Sequence, residues 1–450
     1  MAIGVQPAVV IPSGIRAETR GGNPSWNRAT RIAFRFCVVY FGLYIVLTQM
    51  LTSLLFATTN DSGAFELDMT RPAKAIVVWV AAHVFRIAHP LVTSETGSGD
   101  RLYDWVELSL IVVLAILGTI VWSALDRNRK SYGKLHAWFR VFVRFSLAAT
   151  MFTYGMVKVV PLQMPFPFLN RLIEPFGNLS PMGVLWASIG ASPAYEIFVG
   201  CAEMLGGILL ILPQTTMLGA LVCLADATEV FTLNMTYDVP VKLLSLHMIL
   251  LALFLLAPDA RRLLNMFFLD RAVPRSAELP LFRSPRANRI ALAVQALAAL
   301  FLIGANVHGA VSEYNVDGPG RPKSPLYGIW NARTVIIDGQ VRPPLLTDET
   351  RWRRLVFDFP TAMSIFAMND EVHHYRARID ANAKTFTLNK NGDDKWAARF
   401  SYARPDASHL NVDGTMDSLK VHAEFDLVDP AKFLLKTRGF HWIQDYPFNR

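Results

Sequence analysis

The chain has 450 residues, of which 52% are hydrophobic and 18% charged, and its formal net charge at pH 7 is +8. Long apolar blocks with few charges exclude a disordered chain and a soluble enzyme, and they are typical of a polytopic membrane protein. The Arg and Lys residues lie between the apolar blocks and form no nucleic-acid-binding module, so we expect no nucleic-acid partner.

Seven runs are long enough to span a hydrocarbon core of about 30 Å, which takes about 20 mostly apolar residues. They lie near residues 34–57, 106–125, 137–160, 194–213, 215–235, 241–257 and 290–310. The shorter, amphipathic run Lys74–Ala88 is interrupted by His83 and Arg86. It predicts an interfacial or packed helix rather than a span.

Charge bias orients these spans. Segments 1–35, 126–136 and 258–289 are basic, whereas segment 58–106 carries six acidic residues against four basic ones. Cytoplasmic loops carry the excess of Lys and Arg. We therefore expect a cytoplasmic N-terminus and, after seven spans, an extracytoplasmic C-terminus.

The last part of the chain changes character after the linker VDGPGRPKSP at 316–325. Polar and apolar residues then alternate with period two, and turn signals occur at Asn391-Gly392-Asp393, Asp413-Gly414 and Asp429-Pro430. This pattern predicts a small antiparallel β barrel or sandwich. Its aromatic residues are expected in the core, and the tail RGFHWIQDYPFNR is expected to plug one end or rest at the membrane interface. The core aromatics are Trp352, Phe357, Phe366, Phe386, Trp396, Phe400 and Phe425.

Three cysteines, Cys37, Cys201 and Cys223, all fall in apolar helices, and no CxxC pair is present. This spacing indicates neither a thiol redox pair nor a zinc site. We expect the three to be small buried hydrophobic residues, and we predict no metal site.

Ionisable residues at membrane depth are the most informative feature. A charge in hydrocarbon costs at least ~2.5–3.5 kcal/mol, so such groups usually face a bundle interior and mark a functional pathway. Four consecutive predicted helices carry them: Lys158, Glu196, Glu203, Asp226, Glu229, Asp238, Lys242 and His247.

The third and fourth spans each place polar groups on one face. Tyr154 and Lys158 are one turn apart, and Lys158 either snorkels to the interface or holds a ligand. Gln163 and the Pro-rich segment after it predict a loop that caps the outer mouth of the bundle. Glu196 and Glu203 are seven residues apart, and Glu203 precedes a Gly-Gly pair. Glu203 either relays protons or anchors a ligand. Otherwise it forms an interhelical hydrogen bond that only stabilises the bundle.

The next two spans supply further candidates. Asp226 and Glu229 share a face, so their titrations should be coupled, and Asn234 follows toward the outside. His247 is either a proton carrier, because its unperturbed pKa is near neutral, or a satisfied core residue. We expect Lys158 and Lys242 to pair across the bundle with some of the acids, around a cavity that opens to the outer leaflet. Those acids are Glu196, Glu203 and Asp226.

Three stretches of this region, at 144–167, 180–221 and 233–259, together resemble the DoxX family of bacterial membrane proteins. The resemblance rests on Gly155 and Lys158 at the end of one helix, and on Glu203 with Gly206-Gly207 in the next. It covers about residues 136–260. It extends more loosely, through TSETGSGD (93–100) and YDVPVK (237–242), to a larger subgroup with a β-rich tail.

The resemblance implies a four-helix core in the bacterial inner membrane. Some members of the family are similar to a subunit of a thiosulfate:quinone oxidoreductase, and related bundles handle quinones or thiol redox. The missing cysteine pair argues against the thiol branch. No haem, iron–sulfur or flavin motif is visible, so any redox role needs a bound cofactor, for which a quinone is the candidate.

The fold class expected is therefore a polytopic α-helical membrane protein of about seven transmembrane helices, with a DoxX-like four-helix core, followed by a small antiparallel β barrel or sandwich. The N-terminal part has a cytoplasmic basic tail (1–30) and a transmembrane pair with an extracytoplasmic amphipathic segment (31–135). The four-helix core (136–260), a cytoplasmic basic loop (261–289), the last helix (290–310) and an extracytoplasmic β domain (325–450) complete the chain.

The first functional hypothesis is an oxidoreductase, or a subunit of one, that binds a quinone or other lipid-soluble redox carrier within the bundle. Lys158 and Tyr154 would hydrogen-bond the carrier, and Glu203 or His247 would move protons. The other candidate binding residues are Gln163, Glu196, Asp226, Glu229, Asn234, Asp238 and Lys242.

The alternative is a non-enzymatic membrane anchor or assembly factor whose β domain binds an extracytoplasmic partner. A third hypothesis, transport of protons or small solutes, has no inverted repeat to support it. The expected partners are the lipid bilayer and either a redox partner protein or an extracytoplasmic one.

Overall fold

The computed structural model describes residues 25–56, 63–94, 96–273, 280–390 and 393–449. Most of the predicted N-terminal tail, part of the basic loop at 274–279, and the Asn391-Gly392 turn lie outside these ranges. A helical bundle comes first in the chain, and a β barrel follows it.

The bundle and its connections contain twelve of the thirteen described helices, and the last one follows the barrel. The helices are α1 (Arg28–Leu47), α2 (Gln49–Phe56), α3 (Gly63–His83), α4 (Leu102–Leu125), α5 (Gly133–Val159), α6 (Leu169–Ile173), α7 (Pro181–Gly190), α8 (Pro193–Ile211), α9 (Thr216–Thr236), α10 (Lys242–Leu256), α11 (Ala260–Phe267), α12 (Pro285–Val316) and α13 (Leu434–Thr437).

Six of the described helices are long and apolar enough to cross a membrane, namely α1, α4, α8, α9, α10 with α11, and α12. The seventh predicted span is α5, a helix of 27 residues that carries Arg140, Arg144 and Lys158. It packs against α2, α8, α10 and α12, and its Arg144 and Lys158 side chains are buried. The predicted polytopic membrane architecture is confirmed, and α5 is its central helix.

Two predicted boundaries are wrong. The run 34–57 is broken at Thr48, whose hydroxyl donates to the Tyr44 carbonyl at 2.7 Å and whose backbone is extended. Such side-chain hydrogen bonds compete with the helix ladder. The amphipathic helix ends at His83 rather than at residue 88, and Arg86 adopts a φ of 55° in the loop that follows.

The central helices approach each other closely at glycines. A Cβ on Gly200 of α8 would lie 2.7 Å from the Gly155 carbonyl oxygen and 2.7 Å from the Val159 nitrogen of α5. A Cβ on Gly207 would lie 2.6 Å from the Phe152 ring. Small residues of this kind let membrane helices pack backbone to backbone. The sequence pattern indicated Gly207 but did not single out Gly200.

The barrel consists of β1 (Gly328–Ile337), β2 (Gln340–Val341), β3 (Trp352–Phe359), β4 (Ala362–Ala367), β5 (Val372–Asp380), β6 (Thr385–Lys390), β7 (Asp393–Ala403), β8 (His409–Met416) and β9 (Leu419–Leu427). Eight strands form an antiparallel meander that closes where β1 pairs with β9, while β2 extends β1 as a short hairpin. The predicted antiparallel barrel is confirmed. Closure removes the exposed sheet edges that invite aggregation.

The barrel interior is filled by aromatic side chains. Trp330, Phe357, Phe386 and Phe425 are at most 1% exposed. Most of the predicted core aromatics lie here, since Trp352 and Phe400 are also buried and Trp396 is partly buried. Side chains fill the interior of this barrel, as is usual for barrels of eight strands.

Two details of the β domain and one of the bundle differ from expectation. Asp413-Gly414 lies inside β8, and the turn after β8 is formed by Asp417 and Ser418 with φ values of 50° and 68°. Two successive positive φ values are the signature of a tight hairpin turn. The tail does not plug the barrel, because Trp442 is 91% exposed. Cys201, expected to be buried, is also exposed.

A polar clamp joins the barrel to the bundle. The Leu169 backbone N–H of α6 donates to Asp358 Oδ2 at 2.7 Å, and Arg321 Nη2 donates to Asp358 Oδ1 at 2.9 Å. Phe366, predicted as barrel core, instead packs outside the barrel in a cluster with Leu169 and Val356. Burial raises the pKa of the Asp358 carboxyl, and its two donors favour the charged form. We name this end of the bundle the barrel end; it contains the C-terminal ends of α5 and α12 and the start of α8.

Replacing Gly200 tests the helix contact. Gly200→Ala is expected to lower the free energy of unfolding by about 1–3 kcal/mol, because the backbone atoms that it meets cannot move aside cheaply. Gly42→Ala is the matched control, since nothing lies within 4 Å of its Cβ position. It should be neutral or stabilise α1 by about 0.5–1 kcal/mol. Thermal unfolding in detergent measures both, and equal shifts would contradict the close approach.

Replacing Asp358 tests the clamp. Asp358→Asn leaves the Arg321 guanidinium buried without its carboxylate, which is expected to destabilise the junction by about 3–5 kcal/mol. Asp370→Asn, which removes a partly exposed ion pair with Arg353, should cost at most about 1 kcal/mol. Protease cleavage in the 316–325 linker is the measurement. A cleavage rate that rises no more for Asp358→Asn than for the control would contradict the clamp.

Candidate functional site

The predicted pairing of Lys158 is confirmed, and its partner is Glu203. Lys158 Nζ lies 2.7 Å from Glu203 Oε1 and 2.9 Å from Oε2, and both residues are buried. Nζ also donates to the Tyr154 carbonyl at 3.3 Å. An ammonium has three hydrogens to donate, and these contacts occupy them. The lysine therefore does not snorkel to the interface, and the pair links α5 to α8.

Glycine makes room for this pair. A Cβ on Gly200 would lie 2.8 Å from the Lys158 Cβ, and one on Gly155 would lie 3.0 Å from the Gly200 carbonyl oxygen. The two helices can bring their charged side chains to hydrogen-bond distance only because neither carries a side chain at these positions. The glycines and the charges therefore form one structural unit.

Glu196 holds the segment that follows α5. Its Oε1 accepts the Met164 backbone N–H at 2.8 Å, and the residue is fully buried. In the part of the chain that the structure describes, its Oε2 has no partner, and neither does the buried Gln163 Oε1. Gly190 of α7 packs against the carbonyl groups of the same Pro-rich segment. The segment caps the bundle at the barrel end, as the sequence predicted.

Neither Asp226 nor Glu229 on α9 forms an ion pair with Lys158 within the described ranges. Asp226 is half-buried, with no hydrogen-bond partner for Oδ2 among the described residues, and Glu229 is exposed. Lys158 forms its ion pair with Glu203 and, within the described ranges, with neither of the two. The expected cross-bundle pairing of Asp226 is wrong.

Asn234, Asp238 and Lys242 shape the turn between α9 and α10. Asn234 Nδ2 donates to Ser245 Oγ at 3.0 Å, and Lys242 Nζ lies 3.1 Å from Asp238 Oδ1. Asp238 has a φ of 53° and a largely exposed side chain. These residues stabilise a helical hairpin and do not face the Lys158–Glu203 pair.

Asp100 is a structural residue that sequence reasoning missed. Its carboxylate oxygens accept the backbone N–H groups of Lys242 and Leu243 at 2.8 and 2.9 Å. It thus caps α10 from a distant loop, since the preceding Val241 provides no side-chain cap. The Gly99 N–H also donates to the Pro240 carbonyl at 2.8 Å. The two loops that carried the looser part of the resemblance, 93–100 and 237–242, are therefore in contact.

The His247 ring is satisfied on both nitrogens. Nδ1 lies 2.6 Å from the Leu243 carbonyl and Nε2 lies 2.7 Å from the Tyr40 hydroxyl. Because a carbonyl only accepts, Nδ1 carries the proton and Nε2 accepts from Tyr40. The ring stacks on Tyr44 with centroids 3.6 Å apart. This geometry favours the core-residue interpretation over the proton carrier.

A polar cavity of about 430 Å³ lies at the barrel end, between α1, α4, α5 and the 93–101 loop. Tyr154 lines it, and its hydroxyl donates to Gln49 Oε1 at 3.3 Å. On the α4 side, the Tyr103 hydroxyl donates to the buried Glu107 at 3.3 Å. Lys74 also contributes to the wall. Of the predicted site residues, the cavity therefore includes Tyr154.

Sequence reasoning missed the other polar walls of this cavity. Glu107 carried a signal, since it is an acid inside a predicted span. Nothing in the sequence pointed to Gln49, because its side chain reaches the cavity wall only as a result of the helix break at Thr48. Across the described ranges, no three His, Cys, Asp or Glu side chains are placed to hold a metal ion.

A double-mutant cycle tests the buried pair. Lys158→Met and Glu203→Gln are each expected to cost about 3–5 kcal/mol of unfolding free energy, because each leaves a partner unsatisfied. The double variant should lose clearly less than the sum of the two. The pair of partly exposed Lys242 and exposed Asp238 is the control, for which coupling of about 0–1 kcal/mol is expected. Additive losses at Lys158 and Glu203 would show that they do not interact.

Comparison with known proteins identifies a relative without an assigned activity. No protein-family profile matches the chain, and no solved structure matches it. Over 151 residues it is 30% identical to the uncharacterized protein YwoB of Bacillus subtilis (strain 168), a match that covers 31% of this chain and 88% of YwoB. The chain therefore belongs to the same family as YwoB.

Proposed function

We propose that this protein binds a quinone or another lipid-soluble redox carrier at the barrel end of its bundle, as an oxidoreductase or a subunit of one. The observation that supports this is the polar cavity beside Tyr154. Its volume of about 430 Å³ lies within the range of small-molecule sites, about 300–1,000 Å³. It lies between α1, α4 and α5, of which α1 and α4 are apolar enough to cross a membrane.

The polar groups of the cavity fit the oxygens of such a carrier. A quinone presents carbonyl oxygens that accept hydrogen bonds, and Tyr154, Gln49 and Lys74 supply donors. The bond from Tyr154 to Gln49 is long, at 3.3 Å, so the hydroxyl can exchange it for a ligand oxygen at small cost. Glu107 is a buried carboxyl group in the wall and would hold or release a proton. The bound carrier would supply the redox chemistry that the chain's own side chains lack.

Lys158 has a different role from the one its sequence position suggested. Its ammonium is engaged by Glu203 and lies 5.9 Å from the Tyr154 ring centroid, while it bonds the Tyr154 carbonyl. We assign it and Glu203 to positioning Tyr154 at the cavity wall. In this proposal, Lys158 does not hydrogen-bond the carrier directly, as its sequence position had suggested.

The resemblance to the DoxX family is consistent with this proposal. Most of the residues that carry it come together where α5 packs on α8, namely Gly155, Lys158, Glu203 and Gly207, whereas Gly206 packs against Cys223 of α9. We also propose that the barrel is extracytoplasmic and the N-terminus cytoplasmic, in a bacterial inner membrane. The Arg and Lys residues at 127–134 and in α11 lie at the end away from the barrel, which supports that orientation.

A second candidate, a non-enzymatic anchor or assembly factor, is favoured by the β domain. The barrel has a filled interior and is fixed to the bundle through Asp358. Its tail exposes Phe440, Trp442 and Tyr446. A rigidly held domain with exposed aromatics is suited to holding a partner protein.

Quinone extraction distinguishes the two candidates. Purified protein should release bound quinone into solvent, and Tyr154→Phe should weaken binding of a short-chain quinone about 2–10-fold, which corresponds to one hydrogen bond. Tyr195→Phe, at a half-exposed tyrosine outside the cavity, is the control and should bind as the parent does. A quinone-free protein that retains a protein partner, and binds no added quinone, would overturn the redox proposal.

A further inference from the structure

The tail of the chain presents a strongly apolar surface. It follows α13, and the structure describes it at residues 438–449. Four of its large apolar side chains are each at least 76% exposed, namely Phe440, Trp442, Ile443 and Tyr446. None of the four lines the barrel-end cavity. Exposed apolar patches of this kind mark a contact with a membrane or with another protein.

The tail is folded into a loop. Arg438 Nη2 donates to Gln444 Oε1 at 3.0 Å, and the Arg438 guanidinium lies 4.2 Å from the Phe448 ring centroid. Within the loop, the Phe440 and Trp442 rings meet edge to face, with their centroids 5.0 Å apart. The contacts of Arg438 therefore close the loop and leave its large apolar side chains pointing outward.

The tail begins beside the ends of the bundle helices. Phe433, directly before α13, packs against the junction cluster that contains Leu169 of α6. Lys436 of α13 interacts electrostatically with Asp358 of the clamp. Arg321, which pairs with the same carboxylate, follows the end of α12 by five residues. The tail is therefore tethered next to the bundle, at the barrel end.

The bundle carries exposed aromatic residues at this same end. Trp105 lies near the start of α4 and Tyr195 near the start of α8, and each is half exposed. Trp79, near the end of α3, is exposed as well. Trp and Tyr are enriched where the hydrocarbon core of a bilayer meets its headgroups, because their rings are apolar and their N–H or O–H is polar. These residues indicate that the bilayer surface passes close to the point where the tail is tethered.

We propose that the tail inserts into the surface of the bilayer that the bundle spans, with Trp442 and its apolar neighbours at the boundary between headgroups and acyl chains. The occupant of this apolar surface is thus lipid, which lies next to the tether without any further partner. Apolar side chains gain free energy by leaving water there, and the polar atoms of Trp442 and Tyr446 can bond to headgroups. The barrel is then attached to the membrane domain at the clamp and at the tail. The inference does not rest on the quinone proposal, since the tail contributes no residue to the cavity wall.

Spin-label accessibility tests the inference. In a variant whose three native cysteines are replaced by alanine, Ile443→Cys is labelled with a nitroxide. The purified protein is placed in nanodiscs of phosphatidylethanolamine and phosphatidylglycerol, so that both membrane faces meet solvent. Electron paramagnetic resonance then measures collisions of the label with oxygen, which concentrates in hydrocarbon, and with a nickel chelate, which stays in water. The label at 443 should be accessible to oxygen and protected from the chelate.

Val341→Cys is the matched control, since Val341 is also an exposed aliphatic residue of the β domain. It lies in the hairpin of β1 and β2, paired with Ile336. Ile329, near the start of β1, belongs to the junction cluster, and the strand ends eight residues later at Ile337, about 26 Å away. A label at 341 should therefore remain accessible to the nickel chelate.

Alanine substitutions in the tail identify what drives insertion. Trp442→Ala and Tyr446→Ala should each lower the ratio of inserted to free tail about tenfold, whereas Trp442→Phe should retain insertion. All three change exposed side chains, so the domain should unfold at the parent's temperature. Equal access of the nickel chelate to labels 443 and 341 would overturn the inference and would leave the apolar surface to a protein partner. Insertion that persists in full after both alanine substitutions would also contradict it.

Discussion

The helical domain depends on one constraint, the close approach of α5 to α8 at Gly155 and Gly200. Most helix pairs are held apart by side chains, so a lysine and a glutamate on facing helices need not meet. Because both positions are glycine, Lys158 Nζ and Glu203 Oε1 lie 2.7 Å apart in a buried position. A buried ion pair offsets its desolvation only when its geometry is good and its donors are all used. The glycine contact supplies that geometry, and the Tyr154 carbonyl uses the remaining donor.

The polar groups of the bundle differ in how they are satisfied. Lys158 and Glu203 at the α5–α8 contact satisfy one another, and both ring nitrogens of His247 have partners. Asp226 also lies deep in an apolar helix, but one of its carboxylate oxygens has no partner among the described residues. Gln49, just after the helix break, and Glu107, in the second turn of α4, line the barrel-end cavity. That cavity lies beside the Lys158–Glu203 pair, and Tyr154 of α5 connects the two.

Much of the architecture could be predicted because it follows from periodicity. Runs of about 20 apolar residues must form helices in a membrane, and period-two alternation must form strands. The pairing of Lys158 could also be anticipated, since a buried cation needs an anion nearby. The turn predicted at Asp413-Gly414 is wrong, because Gly414 packs against Phe400 inside the sheet and this packing overrides the turn preference of Asp-Gly. Local propensity loses to packing at such positions.

The parts of the site that the sequence did not reveal depend on long-range contacts. Asp100 caps α10 at Lys242, which lies 142 residues further along the chain. No local sequence motif predicts a hydrogen bond over that separation. Gln49 enters the cavity wall because of a helix break that one Thr side chain helps to produce. The cavity at the barrel end shows the same principle at larger scale, since α1, α4, α5 and the 93–101 loop each contribute to its wall.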